Sequence, residues 1–152
     1  MLEFTFELNG KELSALKCGA SSFPAFSGYG KNKNTKSAQC IAGSGPIPVG
    51  TYYIFDRQSG GTLGPLRDYF SGKDQWFALY AADSKMDDET ICINITRGQF
   101  RLHPKGRAGI SKGCIVVENK KDFATIRALL KNTSTIKIPD LELETYGRVI
   151  VK

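Results

Sequence analysis

Phe100-Arg101-Leu102-His103-Pro104, then a loop from Lys105 to Ile110, then Ser111-Lys112-Gly113-Cys114-Ile115-Val116-Val117: on this stretch the reading of the whole chain turns. It reads as two short strands, Phe100 to His103 and Cys114 to Val117, bracketing a polar, Gly-rich loop. It holds the only histidine of the 152 residues and a cysteine that follows a glycine and opens an apolar β-branched run. A thiol nucleophile needs a base to take its proton, a group to orient that base, and N–H donors for the oxyanion. Cys114 and His103 are the candidate nucleophile and base. Gly113 lets the backbone approach a substrate carbonyl, and the N–H groups of Gly113 and Cys114 are candidate oxyanion donors. The plainer alternative is that Cys114 is a small core hydrophobe opening a strand, as buried cysteines commonly are.

The order His-Pro, loop, Ser-x-Gly-Cys-Ile resembles the signature of the L,D-transpeptidase catalytic domain, in which a His precedes a Ser/Thr-His-Gly-Cys segment. More closely, the chain resembles the compact L,D-transpeptidase effectors exported by bacterial type VI secretion systems. Gly45-Pro46-Ile47-Pro48-Val49-Gly50-Thr51-Tyr52-Tyr53-Ile54 and Tyr146-Gly147-Arg148-Val149-Ile150-Val151 carry the likeness further, over roughly residues 40 to 152. Lys112 stands where the superfamily has a second His, no Arg follows Cys114 where one is often found, and the His-to-Cys gap is shorter.

The length predicts a single domain, residues 1–152, and the residue pattern is mainly β with one principal α-helix, which agrees with the sandwich-like catalytic domain that the resemblance implies. The resemblance also implies attack by Cys114 on the carbonyl of the third residue of a peptidoglycan stem peptide, with loss of the terminal D-Ala. Water as acceptor gives L,D-carboxypeptidase activity, and a D-amino acid gives exchange. His103 would be oriented by a backbone carbonyl just after it, with that of Pro104 as the candidate. Ser111 reads as a loop-bracing hydroxyl, and Arg101 and Lys112 as candidate substrate-binding cations. No cofactor and no metal is expected. As an antibacterial toxin, the protein would be carried by secretion machinery and opposed by a periplasmic immunity protein in its producer.

Composition sets the frame. A hydrophobic fraction of 41% fits a globular chain, and 16 glycines predict many turns. The net charge of +6 suits a polyanionic partner or simple solubility. The cations are scattered apart from Lys31 to Lys36, and no nucleic-acid-binding motif is present, so no nucleic-acid partner is expected. Met1-Leu2-Glu3-Phe4-Thr5-Phe6-Glu7-Leu8 has neither the basic nor the apolar region of a signal peptide, and no run is long enough to span a membrane. The expectation is a protein made in the cytoplasm and carried by a dedicated machine to the periplasm of a target cell. Cys18, Cys40, Cys92 and Cys114 form no metal-ligand spacing. Free thiols are the default, with a Cys18–Cys40 pair as the alternative in an oxidising compartment.

Along the chain, Leu2, Phe4, Phe6 and Leu8 alternate as a half-buried strand. Asn9-Gly10 predicts a two-residue hairpin turn and Lys11 to Lys17 a return strand. Cys18 to Pro48 reads as a long loop anchored by Phe23, Phe26 and Tyr29. Val49 to Asp56 reads as a strand, Arg57 to Lys73 as loop with a short helix near Pro65 to Tyr69, and Gln75 to Ala82 as a strand carrying Trp76 into the core. Thr90 to Thr96, with Ile91, Ile93 and Ile95 on one face, reads as a single strand. Asn119 caps a helix with an apolar stripe of Phe123, Ile126 and Leu130, ending near Asn132. Thr135 to Ile138 and Tyr146 to Val151 close the chain as strands. Two further functions stay open: a papain-like Cys-His amidase or endopeptidase, and a non-enzymatic basic β-sandwich binding module.

Overall fold

The computed structural model describes residues 1–57 and 73–152. Its strands are β1 (Leu2–Phe6), β2 (Ser14–Cys18), β3 (Ser21–Phe26), β4 (Gly50–Asp56), β5 (Phe77–Ala81), β6 (Glu89–Cys92), β7 (Ile95–Gly98), β8 (Arg101–Pro104), β9 (Ile115–Val117), β10 (Ile136–Lys137), β11 (Glu144–Thr145) and β12 (Gly147–Val151). Among the described residues one α-helix, α1 (Lys120–Lys131), follows β9. The fold is mainly β, as expected, but eight strands close into a barrel rather than splitting into a sandwich. Their order is β1-β12-β4-β5-β8-β9-β3-β2, and the β1–β2 pairing seals it.

Closure depends on β3, which lies in the stretch read from sequence as a loop. Ser21, Ser22 and Pro24 hide its strand character, yet Phe23 and Ala25 alternate inward, and β3 bridges β2 to β9. Pro24 has no N–H to give, but its carbonyl accepts from the Glu118 N–H at 2.9 Å. Without β3 the sheet would end on β9 as an open edge. Of the three anchors expected in that stretch, Phe23 and Phe26 are buried and Tyr29 is half exposed.

Period-2 alternation fills the interior. Phe4, Phe6, Tyr52, Ile54, Leu102 and Val149 are each no more than 1% exposed. The Phe123–Ile126–Leu130 stripe of α1 joins the same cluster, at about 1.5–3 kcal/mol for each fully buried side chain. Asn119 stands at the N-cap, but its amide reaches Asp122 Oδ2 at 3.2 Å instead of capping an N–H.

Four local expectations are corrected. The β1–β2 connection runs from Glu7 to Leu13, because Asn9 folds over its own backbone, bonding the Lys11 N–H and the Leu13 carbonyl. Thr90 to Thr96 is not one strand but the β6–β7 hairpin. Ile93 and Asn94 take positive φ of 45° and 68° at its two-residue turn, which leaves Ile91, Ile93 and Ile95 exposed. Trp76 lies outside β5, after a 3₁₀ turn at Lys73–Gln75, and is not in the core. Cys40 pairs with Cys92, leaving Cys18 and Cys114 free, so neither four free thiols nor a Cys18–Cys40 bond describes the protein. The helix expected near Pro65 to Tyr69 falls outside the described residues.

Candidate active site

β8 and β9 pair in parallel, Leu102 opposite Ile115 and Pro104 opposite Val117. Parallel neighbours need a connection that doubles back from the end of one strand to the start of the next. Lys105 to Cys114 makes that return. Leu102, Ile115 and Val117 belong to the barrel core, so alternation turns His103 and Cys114 to the other side. The two side chains are therefore diagonal neighbours on the outer face. Both line one cavity of about 750 Å³, whose wall continues through Trp76, Gln99 and the Gly106–Lys112 segment.

His103 is held on two sides. Its Nδ1 lies 2.8 Å from the Pro104 carbonyl oxygen. A carbonyl only accepts, so Nδ1 carries the proton and Nε2 keeps its lone pair. The Trp76 indole stacks on the imidazole with centroids 4.1 Å apart and planes 16° from parallel. Lys73 and Arg57 both lie over the indole, at 5.4 Å and 5.7 Å. Burial lowers the His103 pKa, and Lys73 adds to this, while the Pro104 bond opposes it. The ring is a neutral base at neutral pH.

Cys114 is a neutral thiol beside it. Burial raises its pKa; opposing this, the backbone N–H of Arg101, the Arg101 charge and the cysteine's own N–H favour the thiolate. Its Sγ lies 3.9 Å from the Gln99 carbonyl, to which the thiol donates. Burial thus favours the neutral form of both groups, thiol and imidazole.

The turn that carries Cys114 is braced from the 27–47 segment. Ser111 Oγ donates to the Cys114 carbonyl at 2.7 Å and accepts from the N–H groups of Gly28 at 3.1 Å and Gly113 at 3.2 Å. Ser27 Oγ donates to the Gly113 carbonyl at 3.3 Å and accepts from the Ile47 N–H at 2.8 Å. Arg97, 3% exposed, donates to the carbonyls of Gln39, Gly45, Pro46 and Lys112. Gly113 has φ +126°, and a Cβ there would lie 2.7 Å from Arg97 Nη2 and 2.8 Å from the Phe100 ring. Only glycine fits this position.

His103, Pro104, Ser111, Gly113 and Cys114 are brought together. Two of the candidates have partners of their own. The Gly113 N–H donates to Ser111 Oγ at 3.2 Å, and the Cys114 N–H acts on the cysteine's own sulfur. Arg101 forms a two-pronged pair with Asp88, both contacts at 2.8 Å, and does not line the cavity. It is occupied as a substrate cation. Lys112 lies exposed at the cavity with its carbonyl held by Arg97. Sequence reasoning missed Ser27 and Arg97, and it placed Trp76 in the core. An arginine at an inward strand position is a signal for the second, but only once the β6–β7 hairpin is known.

Among the described residues there is no group of three or more His, Cys, Asp or Glu side chains able to hold a metal ion. No described helix is long and apolar enough to cross a membrane. The family model for the Tlde1 domain matches residues 21–141, well over half of the chain and inclusive of every candidate site residue. Comparisons with curated proteins and with solved structures returned no match.

Proposed function

Since the chain belongs to the Tlde1 domain family, the type VI secretion L,D-transpeptidase effectors, we propose that it cleaves and exchanges the terminal residue of peptidoglycan tetrapeptide stems through Cys114. The observation that carries this is the cavity shared by Cys114 and His103, with His103 Nδ1 fixed on the Pro104 carbonyl.

The carbonyl of the third stem residue enters the cavity above Cys114. As Sγ attacks, His103 Nε2 takes the thiol proton, forming a C–S bond and a tetrahedral oxyanion. The Cys114 N–H faces that oxyanion, a donor of a kind worth about 2.7–4 kcal/mol of barrier. Collapse breaks the C–N bond, and the imidazolium returns its proton to the leaving amine of D-Ala. His103 then deprotonates water or the amine of a D-amino acid, which attacks the thioester. Hydrolysis leaves a tripeptide, and aminolysis leaves a tetrapeptide with a new fourth residue. Both deplete the stems needed for normal cross-linking.

In this reading the protein is delivered by type VI machinery, acts in a recipient's periplasm, and is matched by an immunity protein that covers the cleft. Mass analysis of disaccharide tetrapeptides after incubation tests the chemistry. Wild type should yield tripeptide, and D-Met should yield the exchanged tetrapeptide. Cys114→Ala and His103→Ala should yield neither. Tripeptide from folded Cys114→Ala protein would overturn the assignment. A papain-like arrangement is disfavoured because Cys114 follows the His in sequence and opens a strand, not a helix. Inertness of wild type toward every stem peptide would favour the basic binding module.

A further inference from the structure

A second groove, of about 620 Å³, runs between α1 and the end of β8. It continues the catalytic cavity, since Trp76 and Gly106 line both. Its apolar surface comes from Trp76, Phe123 and the alanines of α1, and its rim is basic. Two of the rim cations are neutralised: Lys105 pairs with Glu118 at 3.0 Å and Lys131 with Asp56 at 2.7 Å. Lys120 and Arg127 have no carboxylate within ion-pair distance among the described residues. Arg127 is nonetheless fixed, its Nη1 donating to the Gln75 carbonyl at 3.1 Å and its guanidinium lying 5.5 Å over the Phe77 ring. An apolar trough with two cations outside any direct ion pair among the described residues fits a short chain that carries a carboxylate.

We propose that this groove binds the part of the acyl donor that precedes the scissile carbonyl, with Lys120 and Arg127 receiving its free carboxylate. In a stem peptide this is the α-carboxylate of the γ-linked glutamate. The inference rests on the catalytic reading above and adds a direction to it. Cys114 and His103 stand on adjacent paired strands, the indole stacks on the imidazole at 4.1 Å, and the groove meets their cavity at Trp76 and Gly106. Two extended residues cover about 7 Å and a γ-linkage adds backbone atoms, which sets the glutamate carboxylate farther from the sulfur than the carboxylate of the departing D-Ala, within one residue of the scissile bond. Trp76 becomes the ridge over which the donor crosses.

Two donors differing only at that carboxylate, free or amidated, provide the test with wild type and the Lys120→Gln/Arg127→Gln double variant. A lost charge-assisted contact should raise KM for the free-carboxylate donor about tenfold, with kcat within about twofold. The amidated donor should show the raised KM already with wild type, and the double variant should no longer distinguish the two donors. Added salt should raise wild-type KM for the charged donor only. Equal KM for both donors with wild type, or equal losses on both with the variant, would overturn the groove assignment while leaving the chemistry standing. Titration of both donors into Cys114→Ala protein separates the two claims. Tighter binding of the charged donor without any wild-type turnover would keep the groove and remove the catalytic reading. No preference in binding would remove the groove.

Discussion

The indole of Trp76 lies flat on the imidazole of His103, 4.1 Å between centroids and 16° from parallel. The imidazole is thereby gripped between an aromatic lid and its Nδ1 bond to Pro104. Ring stacking is worth about 0.5–1.5 kcal/mol, enough to hold one rotamer and exclude water. Trp76→Ala should lower kcat by roughly tenfold and raise the His103 pKa by hydrating the ring. Trp76→Phe should recover most of the rate. A Trp76→Ala protein with wild-type kcat and an unmoved acid limb in its pH profile would show that the stack does no catalytic work.

The pH profile follows from two opposed shifts. Burial lowers the His103 pKa, so the base stays neutral and competent into mildly acidic solution. Burial raises the Cys114 pKa, so the thiol keeps its proton into alkaline solution. The catalytic state, thiol plus neutral imidazole, is populated above the first pKa and below the second. The rate should therefore fall on the acid side at pH below the ordinary histidine range, stay flat through neutrality, and fall again in alkaline solution as the thiol ionises. Iodoacetamide alkylation of free Cys114 should likewise be slow at pH 6 and accelerate toward alkaline pH. Fast alkylation at pH 6 that Cys18→Ser does not remove would instead mean a resting thiolate–imidazolium pair.

Much of this site was legible in the sequence because its parts are local. His103, Pro104, Ser111 and Cys114 fall within twelve residues, and a β-branched run after a Gly-Cys step announces a strand. What holds them is not local. Ser27 lies 86 residues from Gly113 and Arg97 lies 58 from Gln39, so no spacing rule joins them. Strand β3 was missed because Ser21 and Ser22 open it, Pro24 interrupts it, and the partner that closes the barrel through it is the distant β9. The Ile91–Ile93–Ile95 alternation misled because a β-branched run keeps strand periodicity even where positive φ at two residues folds it into a hairpin. The barrel itself depends on the parallel β1–β12 pairing of the two ends of the chain, which periodicity cannot show.

Arg97 is a buried cation with four carbonyl partners and no carboxylate among the described residues. Removing it leaves those carbonyls without a donor, at about 1–3 kcal/mol for each group that water cannot reach. Arg97→Ala should destabilise the fold by several kcal/mol, on the order of 3. Arg97→Lys should restore part of the stability but not the geometry of the Lys112–Cys114 turn, because one ammonium cannot span the four acceptors. Urea titration of both variants, with turnover measured on the folded Lys variant, gives the comparison. Gly113→Ala should mimic the Lys variant, since its Cβ pushes on the same guanidinium. Full activity in both would detach the turn from its brace.

The Cys40–Cys92 bond joins residues 52 apart and ties the β6–β7 hairpin to the segment whose carbonyls Arg97 holds. A cross-link over a loop of that length stabilises by about 2–4 kcal/mol, or roughly 5–10 °C in Tm for a domain of this size. Reductant should lower Tm by that amount, and Cys40→Ser should match the reduced protein and be insensitive to reductant. Turnover should fall in both, because the loosened hairpin carries Arg97 away from Lys112. Such bonds form and persist in oxidising compartments and are rare in the cytosol. Protein held in a reducing cytoplasm should keep Cys40 and Cys92 as thiols, and protein directed to an oxidising periplasm should form the bond and gain that stability. Thiol counting on denatured protein recovered from cytoplasm and from periplasm should give four and two free groups respectively, Cys18 and Cys114 being the two. Four free thiols in both compartments, with no Tm response to reductant, would remove the bond from any account of how the enzyme reaches its active form.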